Sequence, residues 1–252
     1  MTDAVTLDDH RLAATLAEEA GRMLLELRVT SANLHPALLK DEGDRQAHLL
    51  LAARLHEARP DDGLLSEEGV DTARRLSRER VWIVDPLDGT REYGEDGRSD
   101  WAVHVALAVR GVLVAGAVAL PARGIVLGTD PAPPAPPPAP GGRLRVVTSR
   151  TRMPQAATRI AVALGAELLT LGSAGAKAMA VVLGEADAYA HAGGMYEWDS
   201  AAPAAVALAA GLHVSRIDGA PMRYNRPDPW LPDLLICRPE LAATCLEALK
   251  HP

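Results

Sequence analysis

The segment that decides the fold is VWIVDPLDGTREY, residues 81–93. Its apolar start, VWIV, predicts a buried strand, and two aspartates three positions apart follow it directly. Pro86 fixes its own φ and restricts Asp85 to extended geometry, so the turn is stiff. In this turn the carboxylates of Asp85 and Asp88 and the carbonyl of Leu87 can converge on one point. Such an all-oxygen set of ligands suits Mg²⁺.

Asp, Pro and Gly are also the usual residues of surface turns, so this segment alone would fit a turn without function. Two other acids favour a site. Glu67 ends a short apolar run in LLSEE, and Asp199 in EWDSAA precedes an Ala-rich helix. Enzymes of the α/β class build their sites at strand ends and helix starts, and clustered carboxylates stay ionised only beside cations. The sequence therefore predicts that Glu67 and Asp199 join Asp85 and Asp88 in one metal site.

The composition argues against several functional classes. Of the 252 residues, 48% are apolar and 23% are charged, and the formal net charge is −7. This acidic balance argues against a nucleic-acid polymer as partner, because such a partner requires a basic patch or stripe. The N-terminus is acidic where a signal peptide would be basic, and no apolar stretch approaches the ~20 residues of a membrane-spanning helix. Cys237 and Cys245 are not in metal-ligand spacing. We expect a cytoplasmic protein that binds no membrane.

Residues 1–130 have the pattern of an α+β half that carries Glu67 and the DPLDGT motif. Thr6 caps a first predicted helix, and a second begins at Asp44. Short β-like runs follow, and the last three predict an antiparallel meander. The predicted strands are Leu64–Ser66, Val81–Val84, Trp101–Val109, Val112–Leu120 and Ile125–Gly128.

Residues 131–142 separate this half from the next. PAPPAPPPAP, residues 131–140, predicts a polyproline II segment that serves as a linker or a surface loop. Residues 143–252 alternate strands and helices, which is the pattern of an α/β layered half carrying Lys177 and Asp199. Its predicted strands are Leu144–Val147, Glu167–Leu169, Ala186–Ala190 and Leu234–Cys237. Its predicted helices are Gln155–Leu164, Gly175–Leu183, Asp199–Ala210 and Glu240–Lys250.

Other signatures of phosphoryl transfer are missing from the sequence. It has no GxxxxGK[ST], which excludes a P-loop NTPase. The aspartates of DPLDG are too far apart for the DxD arrangement of aspartyl-phosphate phosphatases. There is no HExxH motif, and we interpret all eight histidines as structural or solvated.

Glu67-Glu68, DPLDGT and WDSAA, in that order and at similar spacing, resemble the motifs of the lithium-sensitive inositol monophosphatase superfamily. The resemblance covers nearly the whole chain. Within the superfamily, Arg91-Glu92-Tyr93 after DGT is most similar to the CysQ type, the 3′(2′),5′-bisphosphate nucleotidases. The resemblance implies the layered αβαβα sandwich of the sugar phosphatases and the metal-dependent hydrolysis of a phosphomonoester.

The resemblance also implies a set of metal ligands. Glu67, Asp85 and the Leu87 carbonyl would hold one Mg²⁺. Asp85, Asp88 and Asp199 would hold a second, and some relatives hold a third beside Glu67. One ion would lower the pKa of a bound water, and the other would stabilise the leaving oxygen.

The catalytic residues implied by the resemblance are Asp44, Glu67 and Thr90. Asp44 would pair with the Thr90 hydroxyl and help to activate the attacking water. A plain helix N-cap explains Asp44 equally well, because it stands at a predicted helix start. The amides of Gly89 and Thr90 would bind the scissile phosphate. The full set of implied substrate contacts is Asp88, Gly89, Thr90, Arg91, Ser173, Lys177, Glu197 and Asp199.

Two of these contacts have alternative interpretations. The nucleotidases carry Ser-Ser-x-Lys, in which the lysine helps to bind substrate phosphate. Here residues 174–176 before Lys177 are Ala-Gly-Ala, and only Ser173 remains. Without the resemblance, Lys177 would be a solvated helix residue. Glu197 could reach a substrate hydroxyl or lie on the surface.

The function implied is removal of the 3′-phosphate from 3′-phosphoadenosine 5′-phosphate (PAP) or its sulfated precursor PAPS. A broad inositol monophosphatase or fructose-1,6-bisphosphatase is the alternative within the same class. A catalytically weak paralogue that binds a phosphorylated ligand and regulates a partner is an alternative from another class, which the complete acid set disfavours. The sequence leaves open whether the protein forms a homodimer.

Overall fold

The structure is a computed structural model that describes residues 7–31, 33–137 and 142–250. Within these residues, two five-stranded sheets are covered by helices. The strands are β1 (Gly63–Ser66), β2 (Arg80–Asp88), β3 (Ala102–Val109), β4 (Val112–Leu120), β5 (Ile125–Gly128), β6 (Arg145–Ser149), β7 (Glu167–Leu171), β8 (Ala188–Tyr196), β9 (His213–Ser215) and β10 (Trp230–Cys237). The helices are α1 (Leu7–Thr30), α2 (Pro36–Ala58), α3 (Thr90–Tyr93), α4 (Gln155–Leu164), α5 (Ala174–Val182), α6 (Glu197–Ala209) and α7 (Ala242–Leu249).

The first sheet contains the deciding segment as β2. Its strand order is β1-β2-β3-β4-β5, with β1 parallel to β2 and every later pair antiparallel. The predicted meander is confirmed as β3, β4 and β5. Their connections are only a few residues long, which suits antiparallel neighbours and excludes the long crossover that parallel strands need.

The second sheet mixes parallel and antiparallel pairs. Its order is β7-β6-β8-β10-β9, with β6 parallel to both β7 and β8, and β10 antiparallel to both β8 and β9. Helix α4 connects β6 to β7, and α5 leads from β7 to β8. These helical crossovers explain the strand–helix alternation in this part of the sequence.

The helices and sheets stack in five layers, αβαβα, so the fold implied by the resemblance is confirmed. Helices α1 and α2 pack on the first sheet, α5 and α6 lie between the sheets, and α4 and α7 pack on the second sheet. Apolar clusters fill the interfaces. The buried residues of α6 include a run of alanines, whose small side chains let this helix contact both sheets. No described helix is both long and apolar enough to cross a membrane.

The second helix starts earlier than predicted, at Pro36 rather than Asp44. Proline suits the first helical turn, because its missing N–H would have no helical partner there. Asp44 therefore lies inside α2, and the interpretation of Asp44 as an N-cap is wrong. Thr6, the predicted cap of the first helix, lies outside the described residues.

The deciding strand is longer than predicted. Strand β2 continues through Pro86 to Asp88, and its pairing with β3 is irregular between Asp85 and Asp88. Proline is tolerated there because a bulge interrupts the hydrogen-bond ladder. Helix α6 begins at Glu197 rather than Asp199, which places Asp199 in its first turn.

Other element ends also differ from the predictions. Strand β8 runs on to Tyr196, β10 starts at Trp230, and a 3₁₀ turn at Pro239–Leu241 precedes α7. The short strand β9 was not predicted. Residues 138–140 of the Pro-rich segment lie outside the described residues, and the division of the chain at residues 131–142 stays a prediction.

The described part of the Pro-rich segment, residues 131–137, is anchored to the second sheet. Arg238, which directly follows β10, donates through Nη1 to the Pro136 carbonyl at 3.1 Å and through Nη2 to the Pro137 carbonyl. Its Nε lies 2.6 Å from the carboxylate of Asp187, which is fully buried. One guanidinium therefore pairs a buried acid and holds the segment in place.

Replacing Arg238 with alanine should destabilise the protein strongly, because the buried Asp187 carboxylate loses its cationic partner and keeps only the hydrogen bond from the Arg145 amide. Removing one member of a buried ion pair costs about 3–5 kcal/mol. Thermal unfolding followed by circular dichroism should show a large fall in Tm. As a control, Arg123→Ala removes a partly exposed pair with Glu185, which contributes at most ~1 kcal/mol. Equal Tm values for the two variants would show that Arg238 anchors nothing.

Candidate metal centre

Three carboxylates meet where β2 ends and α6 begins. One oxygen from each of Asp85, Asp88 and Asp199 lies within 4.8 Å of the others. Asp85 and Asp88 are only 1% and 7% exposed, and Asp199 is half-buried. The structure thus brings together three of the four acids that the sequence placed in the site.

Asp85 is held by its own turn. Its Oδ1 accepts a hydrogen bond from the Leu87 amide at 3.1 Å, which fixes the carboxylate against the backbone that follows it. Burial raises the pKa of Asp85, and the neighbouring charges of Asp88 and Glu67 raise it further. A cation beside these groups would remove this cost of ionisation.

Asp88 is the most strongly held of the acids. Its Oδ2 accepts hydrogen bonds from Ser173 Oγ at 2.5 Å and from the Gly175 amide at 2.6 Å. Its Oδ1 accepts one from the Ala174 amide at 3.1 Å. Burial works to raise the pKa of Asp88, but His104, Ser173 and the Gly175 amide outweigh it and hold this pKa well below its usual range. Asp88 is therefore a carboxylate, ready to bind a cation.

Asp199 comes from the first turn of α6. Its Oδ2 accepts a hydrogen bond from the Tyr196 amide at 2.6 Å, which caps the helix and fixes the carboxylate. A negative charge at this end of a helix is also favoured by the helix dipole. Burial and the Asp88 charge nevertheless raise the pKa of Asp199 to about 6.

Glu67 directly follows β1 and lies at the edge of the cluster. Its amide donates to the Val84 carbonyl at 3.4 Å, which ties it to the neighbouring strand β2. Its side chain is exposed, yet it lies close enough to the buried Asp85 carboxylate for its charge to raise the pKa of that group. Desolvation of the carboxylate by the surrounding protein atoms, together with the charge of Asp199, raises the pKa of Glu67 to about 7. Glu67 is thus linked to the three clustered acids through Asp85.

Asp44 reaches the site from α2. The Thr90 hydroxyl donates to the Leu87 carbonyl at 3.1 Å, and it lies 3.5 Å from Asp44 Oδ1. Burial and the charges of Glu68 and Glu67 raise the pKa of Asp44 to about 7. The resemblance implies that the Leu87 carbonyl is a metal ligand. This carbonyl accepts the hydrogen bond from Thr90 with one lone pair and keeps a second lone pair for a cation.

Position 89 requires glycine for two reasons, its backbone conformation and its close packing against neighbouring residues. Its φ is +86°, in the left-handed region that favours glycine. A Cβ at this position would lie 2.9 Å from the Cβ of Ser173 and 3.3 Å from the Asp100 carbonyl. The glycine therefore lets the turn after β2 approach the turn before α5 closely.

A cavity of about 350 Å³ opens beside the carboxylates. Its lining includes most of the predicted substrate contacts: Asp88, Gly89, Thr90, Arg91, Ser173, Lys177 and Asp199. Lys177 is present in the lining but is 6% exposed, and its Nζ donates to the carbonyls of Gly172 and, at 2.7 Å, of Ser173. The structure thus shows a buried helix residue rather than a solvated one.

Glu197 is not among the described residues that line this cavity. Its carboxylate is fully buried and accepts hydrogen bonds from the amides of Asn225 at 2.6 Å and Arg226 at 2.9 Å. The expectation that Glu197 contacts substrate or lies on the surface needs correction. The carboxylate instead holds the loop before β10, because two backbone donors already occupy it.

Sequence reasoning missed His104 and His191. His104 is fully buried in β3, with Nε2 3.2 Å from Asp88 Oδ2 and Nδ1 3.1 Å from the Trp198 carbonyl. Burial works to lower the pKa of His104, but the Asp88 carboxylate outweighs it and raises this pKa. His191 lines the cavity. The signal for His104 was present, since it is the one polar residue in the apolar run AVHVALAV.

The donor set fits a divalent cation. Asp85, Asp88 and Asp199 supply only oxygen, which hard cations such as magnesium prefer. Burial, and then the negative charges of the neighbouring acids, raise the pKa values of Asp85 and Asp199. Backbone or side-chain donors fix each of the three carboxylates, so their positions are set before any ion arrives.

Sequence comparison relates this chain to phosphatases. A model of the inositol monophosphatase family matches residues 11–131 and 139–250. The 3′-phosphoadenosine 5′-phosphate phosphatase of Mycobacterium bovis is 52% identical over 241 residues, covering 92% of this chain and 89% of that protein. The protein of the same name from Mycobacterium leprae is 50% identical over 266 residues, covering 97% of this chain and 94% of that protein.

Solved structures show the same fold. Inositol monophosphatase II from Staphylococcus aureus superimposes with a TM-score of 0.82 at 20% identity, covering 97% of this chain and 96% of that one. CysQ from Bacteroides thetaiotaomicron superimposes with a TM-score of 0.75 at 27% identity, covering 92% of this chain and 97% of that one. At such identity the first of these shows the fold alone.

Divalent cations should stabilise the native protein, because the unfolded chain does not hold the three carboxylates together. A ligand at 100 times its Kd adds about 2.7 kcal/mol to the free energy of unfolding. Added Mg²⁺ or Mn²⁺ should therefore raise the Tm of the wild type. Asp199→Asn, which keeps an acceptor for the Tyr196 amide, should lose this rise.

The matched control is Asp96→Asn, which removes an exposed carboxylate elsewhere and should leave the rise unchanged. Sodium at equal ionic strength corrects for screening. If the Asp199→Asn variant keeps the full rise in Tm, the cation binds outside the cluster.

Proposed function

This chain belongs to the inositol monophosphatase family, and from that premise we propose that it is a magnesium-dependent phosphatase of PAP or PAPS that removes the 3′-phosphate. The observation that carries the proposal is the carboxylate cluster, whose members Asp88 and Asp199 line a cavity of about 350 Å³. This volume is in the range of sites for small metabolites. The names of the mycobacterial relatives, to which half of the aligned residues are identical, support the choice of substrate.

In this proposal Glu67, Asp85 and the Leu87 carbonyl would hold one Mg²⁺, and Asp85, Asp88 and Asp199 would hold a second. A third ion, where the site takes one, would lie beside Glu67. When bound, magnesium supplies the positive charge that acidifies the attacking water and stabilises the leaving oxygen. The remaining steps depend on groups of the protein itself.

The proposed route for the proton of the attacking water runs through Thr90 to Asp44. The Thr90 hydroxyl can donate to the Leu87 carbonyl at 3.1 Å or turn to Asp44 Oδ1 at 3.5 Å. When it donates to Asp44, its oxygen lone pairs are free to accept a proton from water. Asp44 then acts through Thr90 as a general base, whose raised pKa of about 7 suits proton transfer at neutral pH.

Gly89 and Thr90 begin the turn that would receive the scissile phosphate. Both line the cavity, and the missing Cβ of Gly89 keeps the backbone open to the ligand. Arg91, the next residue, also lines the cavity. Ser173 lines the cavity too, but its hydroxyl donates to Asp88 and so orients a proposed metal ligand.

A broad inositol or fructose bisphosphate phosphatase is the second candidate, and one observation favours it. Lys177, whose ammonium was expected to bind a second substrate phosphate, donates to two backbone carbonyls instead. The regulator alternative is weaker, because a binding protein has no need for a complete set of metal ligands. A cytoplasmic location and homodimer formation stay predictions.

We predict that kcat/KM for PAP exceeds that for inositol 1-phosphate and fructose 1,6-bisphosphate by at least ~10-fold, about 1.4 kcal/mol of transition-state discrimination. Phosphate release is measured for the three compounds with Mg²⁺ and again with excess EDTA, which should abolish it. Equal rates for PAP and inositol 1-phosphate would make the protein a generalist. Release that persists in EDTA would refute the metal-dependent mechanism.

A further inference from the structure

The ammonium of Lys177 binds groups of the protein itself. Two of the three donors of its ammonium bind the carbonyls of Gly172 and Ser173, and Nζ lies 5.4 Å from the centre of the Tyr189 ring. The same turn supplies the Ser173 hydroxyl and the Gly175 amide that bind Asp88. Lys177 therefore holds the turn that positions Asp88, which leaves its ammonium less available to a second phosphate than a cation without protein partners.

Among the described residues, three cationic side chains line the cavity: Arg91, Arg152 and Lys177. Arg91 directly follows Gly89 and Thr90, in the turn where the scissile phosphate is proposed to bind. The exposed Arg152 guanidinium, like that of Arg91, has no hydrogen bond or ion pair with any residue in the described part of the chain. Arg152 lies on the loop after β6, so its charge is available to a part of the ligand other than the scissile phosphate.

Arg152 lies on an ordered loop that lines the cavity. Its amide donates to Ser149 Oγ at 3.2 Å, which orders the loop after β6. His191 lines the same cavity, and burial together with the charges of Lys177 and Arg152 lowers its pKa. The lowered pKa favours the neutral form of His191. In that form Nε2–H donates to the Gly194 carbonyl at 2.8 Å, and Nδ1 accepts from the Tyr189 hydroxyl at 3.2 Å.

We propose that Arg152 binds the second phosphate of a bisphosphorylated substrate, a role that rests on the proposed function, while Lys177 is a positioning residue for Asp88. The cavity that Arg152 lines also contains Asp88 and Gly89, where the scissile phosphate is proposed to bind. A ligand with two phosphates can therefore place one beside Asp88 and Gly89 and the other beside Arg152. The planar guanidinium suits a phosphate because it offers two parallel N–H donors.

The test compares PAP with adenosine 3′-monophosphate, which lacks only the second phosphate. Arg152→Ala should lower kcat/KM for PAP by at least ~10-fold, chiefly through KM, since a charge-assisted contact is lost. The value for adenosine 3′-monophosphate should stay within about 2-fold, because its single phosphate does not reach Arg152. Arg91→Ala is the matched control, because it removes another arginine from the same cavity. An equal loss with both substrates, or a PAP-selective loss in Arg91→Ala, would overturn the assignment.

Lys177→Met keeps most of the side-chain volume but removes the ammonium. It should lower kcat for both substrates by the same factor and weaken the apparent affinity for Mg²⁺, since the turn that holds Asp88 loosens. A loss confined to PAP would make Lys177 the phosphate ligand and overturn the proposal. If this variant does not fold, the Arg152→Ala comparison still decides where the second phosphate binds.

A binding experiment separates failure of this inference from failure of the proposed function. Adenosine 5′-monophosphate, which carries only the second phosphate, is titrated calorimetrically into the wild type and both arginine variants. Arg152→Ala should bind at least ~10-fold more weakly than Arg91→Ala. A wild type that hydrolyses neither substrate would refute the proposed function, yet this titration would still report on Arg152. Equal affinities of the two variants would refute the role of Arg152.

Discussion

The structure depends on one electrostatic constraint, which is the crowding of carboxylates in a region mostly closed to water. Asp85, Asp88 and Asp199 place oxygens within 4.8 Å of one another, and the charge of Glu67 at the edge adds to the rise in the pKa of Asp85. Such groups cannot all carry charge without a counter-ion. Hydrogen bonds from backbone amides and the nearby His104 stabilise part of this charge, and a divalent cation is the simplest group to balance the rest.

The layered fold supplies the rigidity that this arrangement needs. Strand β2 brings two of the acids, α6 brings the third from between the sheets, and the turn before α5 supplies donors to Asp88. Lys177 donates to a carbonyl of that turn, and Gly89 lets the turn approach β2 closely. Each of the three carboxylates is thus fixed by a hydrogen-bond donor group that does not itself bind metal, which is how protein metal sites are usually oriented.

Much of this could be predicted from the sequence, because local patterns determined it. The stiff DPLDG turn, the meander and the first-turn acid of α6 follow from proline, strand alternation and helix periodicity. What the sequence could not show were contacts between distant segments. The buried Glu197 carboxylate on the loop before β10 and the His104–Asp88 contact both depend on tertiary packing. The N-cap interpretation of Asp44 failed because Pro36, farther upstream, starts the helix.

The central claim is that these acids bind the ions that drive phosphate release, and Glu67→Gln tests it most directly. Glu67 is exposed, so the substitution removes a proposed metal ligand with little effect on packing. The measurement is phosphate release from PAP over a Mg²⁺ series, with Glu26→Gln on the exposed face of α1 as control. The account predicts a fall of at least ~100-fold for Glu67→Gln alone. A near-normal rate with unchanged Mg²⁺ dependence would contradict it.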